Sequence, residues 1–347
     1  MLRFELQDML NQIVKGKFMK RAALIILVSL FISSASADMI FRSSFTKDAN
    51  DTVGGLAGTL KGTAAIADGK VNLDGSGWVE YPGGIVTKLD CATTEVWFTY
   101  RTNTNWVRVF DFGNTNSEGN GAYVWYFTPR FGRGSRTTFS NTDPGSKYEE
   151  TIDNGRLPQD VPIHVVVIFD SKNSKSRLYI NGKLIGEKNM TVKLSDIGTQ
   201  HLYLGKSSYN ADRPMQGTID EFRIYNGPLS DLQILLDSQI GPDNLQECVW
   251  TSMKPANDAN NIPTNASLNW TMSRGIIAID HFEVAFGTDV NSILPTAKTN
   301  PAFTSIKQAA YTPSGLKAGT VYYWRVDIID TDKKRYIGPV SKFTTAQ

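Results

Sequence analysis

The chain has 347 residues, 36 Lys and Arg against 34 Asp and Glu, and a formal net charge of +2. At about 100–200 residues per domain, that length predicts two globular domains. A balance this close to neutral gives no electrostatic reason to expect nucleic-acid binding.

The first 37 residues read as processing signals. Met19-Lys20-Arg21 is a basic start, Ala22 to Ile32 an apolar run, and Ala35-Ser36-Ala37 a small-residue cleavage site. The run is shorter than the ~20 residues that span a bilayer. It predicts a cleavable secretory signal over 19–37, cut after Ala37, and a mature protein that is secreted, periplasmic or on the cell surface with no membrane span. Residues 1–18 read as an extension ahead of the true start. The two cysteines, Cys91 and Cys248, have a single available pairing in an exported chain; the alternative is two buried thiols.

From Asp38 the elements are short strands punctuated by turns. Met39-Ile40-Phe41 opens, and Phe45 to Leu60 is loop-like, rich in Gly, Asp and Thr. Strands follow around Val71-Asn72-Leu73 and Trp78 to Tyr81, then over Glu95 to Tyr100 and Trp106 to Phe112. Tyr123 to Thr128 is an aromatic strand, broken by a Gly- and Arg-rich turn over Pro129 to Arg136. His164 to Phe169 is almost wholly apolar, which predicts a strand buried on both faces.

Arg177 to Ile185 contains two alternating runs joined by Asn181-Gly182, a pair that accepts positive φ at both positions and so predicts a type I′ hairpin. In Gly217 to Asn226, strict alternation places Asp220, Phe222 and Ile224 on one face, where a carboxylate needs a partner. Ser230 is placed to cap a helix over Asp231 to Ser238, stopped at Gly241-Pro242.

These runs carry a resemblance. R-L-Y-I-N-G-K-L, Leu202-Tyr203-Leu204-Gly205-Lys206-Ser207 and G-T-I-D-E-F-R-I-Y-N-G-P-L-S resemble the laminin-G-like jelly roll of the concanavalin A-like lectin/glucanase group. The likeness covers roughly Asp38 to Ile240 and implies two antiparallel sheets packed face to face, serving binding more often than catalysis. It also implies that Leu204-Gly205-Lys206-Ser207 is a strand end and not a phosphate loop. From Val249 the texture changes. Leu316 to Val326, read as L-x-x-G-T-x-Y-x-W-R-V, resembles the fibronectin type III signature, with Tyr322 as its tyrosine corner. The expectation is all-β: a concanavalin A-like jelly roll over 38–247, then a small immunoglobulin-like sandwich over 248–347.

No catalytic motif stands out. Asp220 and Glu221 are adjacent, so in a strand they face opposite ways, whereas a retaining glycosidase pair needs carboxyls about 5–5.5 Å apart. Glu95 stands alone, and His164, His201 and His281 are scattered. A glycoside hydrolase or polysaccharide lyase on the same fold is the alternative in a different class. The family resemblance implies a structural Ca²⁺ at Asp220 with Asp48, Asn50 or Asp51; the competing reading has Asp220 held by backbone N–H groups without a metal.

Sugars stack on aromatic rings while planar donors fix their hydroxyls. The candidates of that kind are Trp106 with Arg108, Tyr123 with Trp125, and the loop residues Tyr209 and Arg213. For Tyr123 and Trp125 ordinary core packing competes. The Arg-rich turn reads as solvated, or as a contact for an acidic polysaccharide. The expected function is non-catalytic recognition of an extracellular glycan, or else of a cell-surface protein.

Overall fold

The computed structural model describes residues 37–101, 104–130, 132–242, 250–272, 279–294 and 302–347. The expected extension and nearly all of the signal segment, together with Cys248, lie outside those residues. The chain is nearly all β, and its first part is built as two sheets. Eight strands make one sheet, in spatial order Lys183–Asn189, Lys175–Ile180, Ile163–Asp170, Cys91–Tyr100, Gln216–Tyr225, Lys70–Asp74 and Ala65–Ala67, with Met39–Ser43 also pairing to Gln216–Tyr225. Seven make the other, in the order Glu150–Asp153, Arg136–Phe139, Gly121–Thr128, Phe110–Thr115, His201–Leu204, Trp78–Pro82 and Thr59–Lys61.

The faces that meet are aromatic. Phe110, Phe112, Trp125, Phe127 and Phe139 of the seven-stranded sheet pack against Phe98, Phe169, Phe222 and Ile224 of the other. Phe139 and Phe169 close the gap edge-to-face with centroids 4.6 Å apart, a geometry the ring quadrupoles favour. Trp125 is wholly buried and stacks on Phe112 at 5.0 Å.

Ile163–Asp170 is buried along its whole length, as its composition predicts. The reason is that it serves two cores. Val165, Val167 and Phe169 face the other sheet, while Val166 and Ile168 face outward, packed with Tyr179, Tyr225 and Ile234. Ile234 belongs to the helix Asp231–Ile240, whose cap is Ser230, accepting from Gln233 N at 3.2 Å. Gly241 ends it at φ 79°. The opposite flank of the same helix, through Leu236, packs with Ala285, Ile293, Leu294 and Val340 of the second part.

The Asn-Gly turn forms with φ 50° at Asn181 and 77° at Gly182. A Cβ at residue 182 would lie 2.4 Å from Ser238 Oγ, so this glycine also lets the hairpin approach the helix.

The second part is another two-sheet arrangement: Trp250–Lys254, Leu268–Met272 and Ala310–Tyr311 in one, and six strands around Val321–Asp330 in the other. Trp270, Tyr322, Trp324, Val326 and Phe343 form its core. Tyr322 accepts from the Lys317 N–H at 2.9 Å, fixing the corner that leads into its strand. Among the described residues no helix is long and apolar enough to cross a membrane.

Candidate functional site on the outer face of the seven-stranded sheet

Alternation decides what this sheet shows outward. With Phe110 and Phe112 in the core, Asp111 must point away; with Val79 and Tyr81 inside, Trp78 and Glu80 point away. Loops on either side of Phe110–Thr115 and after His201–Leu204 fold over that face and bring further side chains to it.

One of these loops departs from expectation. Trp106 to Phe112 was expected to be a single strand, but the strand begins at Phe110 and Trp106 sits in a turn at φ 64°. A bulky residue in the left-handed region is strained, and such strain persists where the surroundings hold it. What holds Trp106 is guanidinium. Arg136, Arg130 and Arg108 lie 5.0, 5.7 and 5.9 Å from its ring centroid, each within cation–π range. Trp106 is half-buried.

The three arginine heads are fixed in advance. Arg108 is buried and lies 3.8 Å over the Tyr126 ring, 3.6 Å from Asp111 and 3.3 Å from Asp212. Arg136 donates to Glu149 at 2.9 Å, and the Tyr126 hydroxyl donates to the same carboxylate at 3.1 Å. Arg130 donates to Asp153 at 2.8 Å and to the Gly134 carbonyl at 3.0 Å. Side chains already ordered lose little entropy when a ligand arrives.

Asp111 is fully buried, and burial pushes its carboxyl up to about 6 against the lowering pull of Arg108 and Ser208. Ser208 donates to it twice, from Oγ at 2.7 Å and from N at 2.9 Å. His201 Nε2 lies 2.9 Å from that same Ser208 Oγ. Since the hydroxyl proton is committed to Asp111, Nε2 must carry the imidazole proton and donate it. Burial, then repulsion from Lys206, holds His201 down at about 4, so it is neutral at pH 7. The order His–Ser–Asp puts the hydroxyl in the middle, which is no way to activate a serine nucleophile.

A second cluster lies along the same face. Tyr203 pairs across from Glu80, and His201 stacks on the Tyr203 ring at 3.8 Å. Lys206 sits 4.4 Å over Tyr203 and 5.4 Å over Trp78. Both rings are half-buried. The sequence reading passed over Trp78, Tyr203 and Lys206. The signal available was the polar-and-aromatic outward register of Trp78-Val79-Glu80-Tyr81 against Leu202-Tyr203-Leu204.

Other expected site residues fall elsewhere. Trp125 is core and is no ligand platform. Tyr123, two positions earlier, is 37% exposed despite the shared parity. A bulge between Phe112 and Asn114 in the pairing, with φ 55° at Tyr123, turns that end of the strand over. Tyr209 is half-buried and lies across Gly121, where a Cβ would come 2.5 Å from its ring, so it stitches a loop to the sheet. Arg213 is exposed, and it is the neighbouring Asp212 that reaches Arg108.

Asp220 does not share a face with Phe222 and Ile224. The strand bulges between Ile219 and Glu221, so Ile219, Phe222 and Ile224 all enter the core while Asp220 is the extra residue. It pairs with Lys70, at 3.0 Å. The calcium ligands expected from the resemblance are engaged with the chain's own groups. Asp51 accepts N–H groups of Arg42 and Val53, both at 2.9 Å, and of Leu56 at 3.4 Å. Asp48 accepts from Asn50 N at 2.9 Å, and Asn50 from Gly58 N at 3.3 Å. Among the described residues no group of three His, Cys, Asp or Glu side chains is placed to hold a metal ion. Cys91 is a buried free cysteine, its thiol pushed up to about 12 by burial and by Asp170.

Glu95 is far from solitary. It accepts from His164 Nε2 at 2.9 Å, from Arg223 Nη1 at 3.1 Å and from the Tyr225 hydroxyl at 2.8 Å, all buried on the outer face of the eight-stranded sheet. Asp237 of the helix shares a hydrogen bond with it, and burial, reinforced by Glu95, holds the Asp237 carboxyl well above its usual range. These two carboxyls are in direct contact beneath a helix, not apart across a groove.

Residues 73–235 match a family model described as the concanavalin A-like lectin/glucanases superfamily. No curated protein matches the chain. Among solved structures, domain 4 of AbnA, a GH43 extracellular arabinanase from Geobacillus stearothermophilus, in complex with arabinotriose, is 23% identical, with a TM-score of 0.50 over 59% of this chain and 100% of that one. A Ruminococcus gnavus IT-sialidase CBM40 bound to alpha2,3 sialyllactose is 18% identical, with a TM-score of 0.40 over 51% and 96%. The binding domain of botulinum neurotoxin serotype D/C is 14% identical, with a TM-score of 0.46 over 89% and 78%. The arabinanase domain shares the fold of the first sandwich; the other two superpose too loosely to add to that.

Proposed function

We propose that this is an exported, non-catalytic glycan-binding protein whose jelly roll holds a carbohydrate on the outer face of the seven-stranded sheet. The observation that carries the reading is the half-buried Trp106 ring with the Arg108, Arg130 and Arg136 guanidiniums at 5.0–5.9 Å. An aromatic surface with planar donors fixed around it suits a pyranose or furanose ring, which offers C–H groups to the former and hydroxyls to the latter. Trp78 and Tyr203, beneath Lys206, supply a second ring surface for a longer chain of sugars. That an arabinanase domain of like fold was seen with arabinotriose is in keeping with this, though only the fold is shared.

The second sandwich fits a fibronectin type III-like spacer, in line with the Tyr322 corner and its packing through the helix. Export rests on the signal read at 19–37. Catalysis has no place in the proposal: Glu95 and Asp237 are buried against a helix, and Asp111 and Asp212 are both held by the Arg108 guanidinium.

A glycan array of the mature chain tests the reading. Wild type should bind a defined set of glycans, and Trp106→Ala should lose that set at least 10-fold while unfolding at the same denaturant concentration. An array without hits, or hits that Trp106→Ala and Tyr203→Ala both leave intact, would show that the ligand is a protein or binds elsewhere.

A further inference from the structure

Beside Trp106 the sandwich has a cleft of about 240 Å³, lined by Tyr100, Arg130, Gly132, Arg156, Leu157 and Gln159. Its apolar lining comes from Leu157 and from Tyr100, which is buried and donates its hydroxyl to the Leu157 carbonyl at 2.7 Å. Its polar wall is cationic. Arg130 belongs both to the cleft and to the Trp106 cluster and so links the two.

The local charge is unbalanced. Arg130 has Asp153, and Arg136 has Glu149. Among the described residues Arg156 donates only to a neutral acceptor, the Gly132 carbonyl at 2.9 Å. Arg133, exposed in the same turn, and Arg156 have no carboxylate within ion-pair distance among the described residues. Burial, followed by the Arg136 charge, lowers the Arg130 guanidinium below its ordinary value, against the raising pull of Asp153. The chain as a whole carries only +2, so this excess is local.

We infer that the cleft takes the anionic substituent, carboxylate or sulfate, of an acidic glycan whose sugar ring lies on Trp106. This rests on the glycan reading above and narrows it to a substrate class. Guanidinium suits both anions, because its planar fork donates two parallel bonds.

The test uses polymers matched in backbone and differing in charge: polygalacturonate against its methyl ester, and dextran sulfate against dextran. Wild type is compared with the double variant Arg133→Gln/Arg156→Gln. A charge-matched control, Lys172→Gln/Lys188→Gln, removes two exposed lysines on the other sheet's side of the molecule. The expected result is binding at least 10-fold tighter to one acidic polymer than to its neutral partner, lost in the arginine variant and kept in the lysine one. Which pair shows it decides between carboxylate and sulfate. Equal binding to the charged and neutral forms, or equal loss in both variants, overturns the inference and leaves the glycan reading standing. Retention of no polymer while the array still shows neutral, Trp106-dependent hits also overturns it. An array that is blank or indifferent to Trp106→Ala removes the reading beneath it.

Discussion

The two outer faces of the jelly roll carry similar chemistry and put it to different ends. Outside the eight-stranded sheet, Glu95, His164, Arg223, Tyr225 and Asp237 are packed with Trp97, whose ring lies 4.4 Å from Arg223. Outside the seven-stranded sheet, Asp111, Arg108, Tyr126 and His201 are equally buried, but Trp106, Trp78 and Tyr203 beside them are not. The difference is the cover. A helix closes the first network, and every charge in it answers another: Glu221 binds Arg42 through two contacts of 2.9 Å, and Arg223 reaches the Pro242 carbonyl at 2.7 Å. The second network ends in half-exposed rings, and beside it lie Arg133 and Arg156, which among the described residues have no carboxylate within ion-pair distance. Buried charge alone therefore does not mark a site; the proposed one pairs buried charge with an open aromatic edge.

Breaking the closed face should cost most. Glu95→Ala takes away one of the two carboxylates that hold the buried Arg223, Glu221 being the other, and leaves His164 and Tyr225 without their acceptor; removing one member of a buried pair costs about 3–5 kcal/mol. Denaturant unfolding should show that loss, with glycan binding unchanged at temperatures where the variant is folded. A loss below about 1 kcal/mol would mean that water reaches the network and that the contrast between the faces is false.

The open face should answer to acid. His201 is held at about 4 in the folded chain against 6.5 ordinarily, so its contribution is complete above pH 6.5 and is lost as the pH falls toward 4. The size is about 2–3 kcal/mol. Asp111 on the same hydrogen-bonded chain works in the opposite direction, since its raised carboxyl favours the folded state at low pH. Comparing wild type with His201→Gln cancels it. Between pH 7 and pH 4.5 the wild type should lose stability more steeply than the variant, and parallel curves would place His201 in water.

Trp106→Ala should be felt in binding and hardly in folding: a 10-fold loss is about 1.4 kcal/mol, while half-exposed positions change stability by about 1 kcal/mol or less. The smallest expected effect is that of calcium. An ion bound at about 100 times its Kd would add about 2.7 kcal/mol. With Asp51 on backbone N–H groups and Asp220 on Lys70, melting in chelator and in millimolar calcium should coincide. A clear rise with calcium would show those carboxylates exchanging partners for the metal.

Much of the fold was legible. The Asn181-Gly182 turn, the Ser230 cap, the Gly241 stop and the doubly buried strand after His164 are local signals that tertiary structure did not override. The errors share one cause. Strict alternation was carried through Asp220, through Tyr123 and Trp125, and through Trp106 to Phe112, and in each place a bulge or a positive φ breaks the register. A bulge adds one residue and reverses every side chain after it, and nothing in Ile219-Asp220-Glu221 announces it. The candidate site was half legible. Trp106 and Arg108 were visible as an aromatic–cation pair. Arg136 joins it from a nearby strand and Arg130 from the turn before that strand, and Lys206 meets Trp78 only through a strand order that places residues more than a hundred positions apart side by side.

The most direct test of the central claim is hydrogen exchange with and without a saturating glycan chosen from the array. Protection should appear over 104–109, 128–137 and 203–213 and leave 220–240 unchanged. Protection confined to the helix Asp231–Ile240 and the strands beneath it would place binding on the closed face and contradict the account.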